Sequence, residues 1–120
     1  MYANVENLVN INNSNVQYIT CPTDLHKQDK KHVREFFKSV SVNKNTDIKI
    51  DMSALKKIDL WGAGLLVKNI KRLKSNSTPV SLYSDNTNSI FILDTLKISD
   101  IVDIDLINDV NGLQNEVVYN

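Results

Sequence analysis

The sequence predicts one α/β domain over residues 1–120, with a mixed, mostly parallel sheet of about five strands and about four helices. Two observations lead to this fold class. Short segments in which apolar and polar residues alternate are separated by segments whose apolar residues recur at helical spacing. A strand followed by a helix and a further strand forms a right-handed crossover, and such crossovers build parallel sheets.

The composition is that of an ordinary globular domain, and it argues against several classes of function. Hydrophobic residues make up 42% and charged residues 23%, and fourteen basic residues balance fourteen acidic ones. This balance predicts neither a nucleic-acid-binding surface nor a strong attraction to anionic lipid. The single cysteine, Cys21, cannot form an internal disulfide bond and is interpreted as a buried structural residue in a reducing cytoplasm.

No segment of the sequence predicts direct insertion into a membrane. No apolar run approaches the roughly 18 residues needed to span a bilayer. Residues 1–7 also lack the basic cluster and apolar run of a signal peptide. We therefore expect a cytoplasmic protein that reaches a membrane only through a partner.

Two short strands open the predicted fold. They cover residues 7–12 and 16–20, and the polar residues 12–15 between them indicate a hairpin turn. Pro22 ends the second strand, because proline cannot donate a hydrogen bond to a sheet.

A helix is predicted over residues 28–41, and a strand over residues 47–53 follows it. The buried face of the helix is indicated by apolar side chains at the i, i+3, i+4, i+7 spacing: Val33, Phe36, Phe37 and Val40. In the strand, three apolar side chains alternate with polar ones: Ile48, Ile50 and Met52.

A second helix is predicted to start after residues 57–59 and to continue to about Lys74. Asp59 stands at the N-cap position, where a carboxylate accepts backbone N–H groups and faces the positive end of the helix dipole. Gly62 and Gly64 indicate close packing of this helix on the sheet. The core stripe is predicted at Leu66, Ile70 and Leu73. The opposite, solvated face is predicted at Lys68, Lys71 and Arg72.

The remaining elements are short. A strand is predicted over residues 80–84, a helix over residues 89–96 and a last strand over residues 101–104. A terminal helix is indicated by three apolar side chains at helical spacing: Val110, Leu113 and Val117. Gly112 weakens that helix by about 1 kcal/mol.

Three stretches together resemble the STAS domain, the fold of bacterial anti-sigma-factor antagonists. Residues 19–24 (ITCPTD) stand where the family has its L-x-G-x-L-D segment ahead of the first helix. Residues 48–53 (IKIDMS) and 58–66 (IDLWGAGLL) resemble the strand, the D-S-S-G-L loop and the helix that follows. Residues 93–104 (LDTLKISDIVDI) resemble the closing segment of the family.

The resemblance implies a non-enzymatic protein–protein interaction module without a cofactor or metal. Its expected partner is an anti-sigma kinase or switch protein, or alternatively the ATPase of an ABC phospholipid transporter of which this chain is an accessory subunit. A homodimer is also left open. The residues expected to bind the partner are Asp24, Asp59, Leu60, Trp61, Gly62, Lys68 and Lys71.

The sequence departs from the family at the loop before the second helix. The resemblance implies a phosphorylated Ser or Thr after the loop aspartate, but here Leu60 and Trp61 follow Asp59, and neither accepts phosphate. An exposed Leu–Trp pair instead indicates a constitutive contact, since tryptophan is enriched at interface hot spots. The alternative is that Trp61 is a core residue. Ser53 and Ser84 remain as other hydroxyls that a kinase could modify.

An enzyme or nucleotide-binding protein is the alternative of another class. Small α/β sheets bind ligands beyond the carboxyl ends of their strands. However, the two-glycine string at Gly62 and Gly64 lacks the Lys-Ser/Thr of a phosphate-binding loop. His26 and His32 are spaced too far apart for a helical metal pair.

Overall fold

A computed structural model describes residues 5–11, 14–40 and 45–107. The strands are β1 (Val5–Ile11), β2 (Ser14–Thr20), β3 (Asp24–Leu25), β4 (Thr46–Asp51), β5 (Lys57–Ile58), β6 (Val80–Ser84) and β7 (Asp103–Leu106). The helices are α1 (Lys30–Ser39), α2 (Leu60–Ser75) and α3 (Thr87–Thr95). Two 3-10 turns cover Lys27–Asp29 and Ile98–Asp100.

The main sheet has five strands in the order β1-β2-β4-β6-β7. β1 is antiparallel to β2, and every other neighbouring pair is parallel. The prediction of a mixed, mostly parallel sheet is therefore confirmed. Since the three crossovers advance in the same direction along the sheet, right-handed connections place α1, α2 and α3 on one face.

The core lies between that face of the sheet and the helices. Ile48 and Ile50 of β4 are buried there, as are the predicted stripes of the first two helices: Val33, Phe36 and Phe37 of α1 and Leu66, Ile70 and Leu73 of α2. A smaller cluster, formed by Val16 and Tyr18 with Tyr83 and Ile107 packed against them, is separate from this core. The alternation of side chains along β2 puts that cluster on the other face of the sheet.

Several element boundaries differ from the sequence predictions. α1 begins at Lys30 rather than residue 28, because a 3-10 turn precedes it. The last strand begins at Asp103, later than the predicted residues 101–104, because the 3-10 turn over Ile98–Asp100 and the buried Val102 come first. The predicted terminal helix around Val110, Leu113 and Val117 lies outside the described residues.

A two-stranded sheet formed by β3 and β5 was not predicted from the sequence. The two strands run parallel, with Asp24 opposite Lys57 and Leu25 opposite Ile58. Backbone hydrogen bonds extend the contact on both sides, from Lys56 N–H to the Thr23 carbonyl (2.7 Å) and from Asp59 N–H to the Leu25 carbonyl (3.3 Å). This small sheet fixes the segment before α1 against the segment before α2.

Gly62 lies where the first turn of α2 meets that small sheet. A Cβ atom added at Gly62 would lie 1.8 Å from the carbonyl oxygen of Leu25, well inside van der Waals contact. A Cβ atom at Gly64 would meet no atom within 4 Å. Close packing therefore requires glycine at Gly62 but not at Gly64.

We expect Gly62→Ala to lower the free energy of unfolding by about 3 kcal/mol, because the backbone of Leu25 cannot move aside without breaking the β3–β5 pairing. Gly64→Ala is the matched control on the same helix turn. It should raise the free energy of unfolding by about 0.5–1 kcal/mol, because alanine has the higher helix propensity. Urea denaturation of both variants measures this, and equal effects would contradict the assigned contact.

Candidate partner-docking site

The candidate site lies at the carboxyl edge of the parallel strands, where the helices begin. β2, β4 and β6 end at this edge, and the chain then enters α1, α2 and α3. Asp24 on β3, Asp59 between β5 and α2, and Leu60 and Trp61 in the first turn of α2 belong to these connections. The fold thus brings together four of the residues that the sequence predicted to bind a partner.

Asp59 is the N-cap of α2, as the sequence predicted. Its Oδ1 accepts a hydrogen bond from Gly62 N–H at 2.7 Å, and its Oδ2 accepts one from Lys27 N–H at 2.9 Å. The N–H groups of Lys27 and then Gly62 hold the pKa of this carboxyl below its usual range, because they stabilise the charged form. One carboxylate therefore caps α2 and joins it to the segment before α1.

Leu60 is the most exposed large apolar side chain in the part of the chain that the structure describes, with 83% of its surface accessible. It follows the cap directly and contributes nothing to the core. Its backbone is nevertheless ordered, since it is the first residue of α2. Leu60 therefore presents an apolar side chain to solvent from the first turn of a helix.

Trp61 is neither fully exposed nor fully buried. Its ring packs against the edge of the main core, and the guanidinium of Arg34 on α1 lies over it, with Cζ 5.8 Å from the ring centroid. Such a cation–π contact contributes on the order of 0.5–1 kcal/mol at an exposed site. The expectation of an exposed Leu–Trp pair therefore holds for Leu60, whereas Trp61 is in part a structural residue.

Of the other predicted binding residues, Gly62 lies in the same helix turn as Leu60, whereas Lys68 and Lys71 lie further along α2. Gly62 is buried against Leu25, so its role in the structure is packing. Lys68 is exposed on the side of α2 that faces α1, and Lys71 is exposed on the opposite side, towards β6 and β7. Arg72, predicted as solvated, is half-buried and donates a hydrogen bond to the Val40 carbonyl at 2.9 Å.

Asp24 lies beside His26, whose sequence position was interpreted only in terms of a metal site. The Nε2 atom of His26 lies 3.7 Å from Oδ2 of Asp24, and both side chains are partly buried. The described residues contain no group of three His, Cys, Asp or Glu side chains that could hold a metal ion. Asp24 therefore contacts His26 and stays partly accessible at this edge.

Cys21 is buried in the main core, as predicted. Burial, and secondarily the charge of Asp51, raises the pKa of its thiol. A thiol in that environment stays protonated and is a poor nucleophile. It adds no chemistry to this edge.

The contact of Arg34 with Trp61 and the bond from Lys27 to Asp59 were not predicted from the sequence. Each joins residues about thirty positions apart, and neither pair shares a helix or a regular strand. Both contacts require the segments before α1 and α2 to lie side by side. That arrangement comes from the β3–β5 pairing, for which the sequence carries no periodic signal.

We expect Asp59→Asn to flatten the acid dependence of stability. The folded pKa of Asp59 is lowered, so its charge stabilises the fold above the unfolded pKa of about 3.9, and this contribution is lost as pH falls through the folded pKa. Asparagine keeps the cap acceptor but removes the charge. Thermal melts between pH 7 and pH 3 should show the melting-temperature gap between wild type and variant closing as pH falls.

The exposed Asp94→Asn variant on α3 controls for the change in net charge. A gap between wild type and Asp59→Asn that stays constant over this pH range would contradict the hydrogen bonding assigned to Asp59.

The comparisons with known proteins agree with this architecture. The family model described as STAS domain matches residues 9–112, which is most of the chain. No curated protein matches the sequence. In the described part of the chain, no helix is long and apolar enough to cross a bilayer. The match covers α1, α2, α3 and every strand from β2 to β7 of the described residues, and the chain belongs to the STAS domain family.

Proposed function

We propose that this chain is a non-enzymatic, anti-sigma-factor-antagonist-like regulator that binds its partner constitutively through the start of α2. We call Leu60, the half-buried Trp61 and the partly accessible Asp24 the docking surface. STAS domains mediate protein–protein interactions, and this edge offers an apolar side chain on a rigid support. The exposure of Leu60 is the observation that carries the proposal.

The energy available from Leu60 is sufficient for a specific contact. Removing an exposed leucine side chain from water contributes about 1.5–3 kcal/mol. Because the cap at Asp59 and the packing of Gly62 already fix the first turn of α2, little backbone conformational entropy is lost on binding. Ordering the leucine side chain itself costs about 0.5–1 kcal/mol, so part of the burial free energy remains for affinity.

Under this proposal, binding is not switched by phosphorylation at Leu60. Leu60 has no hydroxyl group, so a kinase cannot add charge there. Ser84 is fully buried and bonds to the carbonyl of Asn86. Ser53 accepts a hydrogen bond from Asp85 N–H at 2.9 Å, and its modification would break the link between two loops. Regulation is then expected through partner abundance rather than through covalent modification of Leu60.

We expect Leu60→Ser to weaken partner binding by about tenfold or more while leaving the thermal stability close to wild type, because the side chain is exposed. The matched control is Phe91→Ser, which removes a second strongly exposed large apolar side chain of the described residues, 71% accessible on α3. The partner is captured from cells of the source organism on the tagged chain and identified by mass spectrometry. The purified pair is then titrated with both variants.

The identity of the captured protein separates the two partner classes. An anti-sigma kinase or switch protein supports the regulator, whereas an ABC transporter ATPase makes the chain a transporter subunit. Full binding by Leu60→Ser with loss in Phe91→Ser would contradict the docking surface. Saturable micromolar binding of ATP or GTP in a calorimetric titration would contradict the non-enzymatic proposal and favour a nucleotide-binding protein.

A further inference from the structure

A groove between α1 and α2 leads away from the docking surface. It is open to solvent and has a volume of about 510 Å³. Its floor is apolar and includes Phe37, Val40 and Leu65. The Arg34 side chain lies at its upper end, where the guanidinium also covers Trp61. The groove and the docking surface are therefore continuous.

Four cationic side chains line the groove, two on each helix. Arg34 and Lys38 stand one turn apart on α1, and Lys68 and Arg72 stand one turn apart on α2. α2 contains no acidic residue, and the single acid of α1, Glu35, does not line the groove. Within the described parts of the chain, none of the four cations forms an ion pair with a carboxylate. This local charge contrasts with a net charge of zero for the whole chain.

Arg72 is held in a fixed position within this groove. Its Nη2 donates to the Val40 carbonyl and to Oδ1 of Asn69, both at 2.9 Å, and its Nε donates to the same Asn69 oxygen at 3.3 Å. These acceptors are neutral, so the charge is not compensated. The Nη1 group makes no hydrogen bond to another described residue. A guanidinium anchored in this way can donate to a carboxylate through Nη1, with its charge already held in place.

We propose that this groove docks an acidic, amphipathic helical segment of the partner protein, with carboxylates facing the four cations and apolar side chains entering between Phe37 and Leu65. The inference rests on the proposed function, because it extends the same docking surface. The α1 wall from Arg34 to Val40 is about 10 Å long, which matches roughly two turns of a bound helix. Cation pairs one turn apart fit carboxylates at i and i+4 of that helix.

A protein segment fits the groove better than a lipid surface or a nucleic acid. A bilayer surface is broad, and it cannot reach the apolar floor between two helices. A nucleic acid offers regularly spaced phosphates but no apolar side chains for Phe37 and Leu65. Acidic groups combined with apolar groups are the chemistry that complements this lining.

The test uses a synthetic helical peptide of two heptads that carries leucine on one face and flanking glutamates at i and i+4. A second peptide has glutamine in place of each glutamate. NMR titration of the isotope-labelled intact chain should show shifts concentrated at Arg34, Lys38, Leu65 and Lys68. The glutamine peptide should bind about tenfold more weakly, and binding of the glutamate peptide should weaken as salt rises.

Lys68→Glu and Lys71→Glu form a matched pair, because both lysines are exposed on α2 and only Lys68 lines the groove. Lys68→Glu should weaken peptide binding by about tenfold, and Lys71→Glu should weaken it far less. Equal effects of the two variants, equal affinity for both peptides, or shifts centred elsewhere would overturn the proposal. Binding of phosphatidylglycerol vesicles that depends on Lys68, without peptide binding, would also overturn it.

The same pair of variants separates this inference from the proposed function. If Lys68→Glu retains the captured partner and Leu60→Ser loses it, the result contradicts binding in the groove and supports binding through the docking surface. Failure of the intact chain to capture any partner would count against the proposed function, while the peptide titration would still decide the groove.

Discussion

The arrangement of this domain depends on the contact between Gly62 and the backbone of Leu25. A helix approaches another backbone this closely only where no Cβ intervenes, and a Cβ at Gly62 would collide with the Leu25 carbonyl. The same carbonyl accepts the N–H of Asp59, so packing and hydrogen bonding fix the start of α2 together. The carboxylate of Asp59 then joins α2 to the segment before α1 through Lys27.

This constraint explains why Leu60 and Trp61 differ so strongly in environment. Because Gly62 faces Leu25, the side chains of Leu60 and Trp61 leave the helix in other directions, away from the small sheet. Trp61 meets α1, where Arg34 covers it, and Leu60 meets no other part of the described chain closely enough to be buried. Apolar exposure at the docking surface is thus a consequence of how the helix is seated.

The sequence predicted those features whose cause is local. The period of apolar residues identified the buried stripes of α1 and α2, and the position of Asp59 identified the cap, because each depends on neighbours within a turn or two. The β3–β5 sheet was missed, since two residues carry no periodic signal. The half-buried state of Arg72 was also missed, and the sequence left Trp61 open between an exposed and a core residue, because both environments depend on α1 lying beside α2. The positions of Leu60 and Asp59 at the start of α2 were therefore predicted, whereas the small sheet that supports them was not.

α2 serves three surfaces at once, and the helical period keeps them separate. Leu66, Ile70 and Leu73 face the sheet and supply folding energy. Lys68 and Arg72 face α1 and leave charge unpaired. The first turn begins with an exposed leucine, Leu60. Unpaired cations and an exposed leucine give the isolated domain little stability. The cations are solvated by water, and the leucine buries no apolar surface in the isolated domain. The cations and the leucine contribute a favourable free energy only when another molecule binds and supplies acidic and apolar groups in the same place. A surface with those two properties on one rigid helix is better suited to binding than to folding.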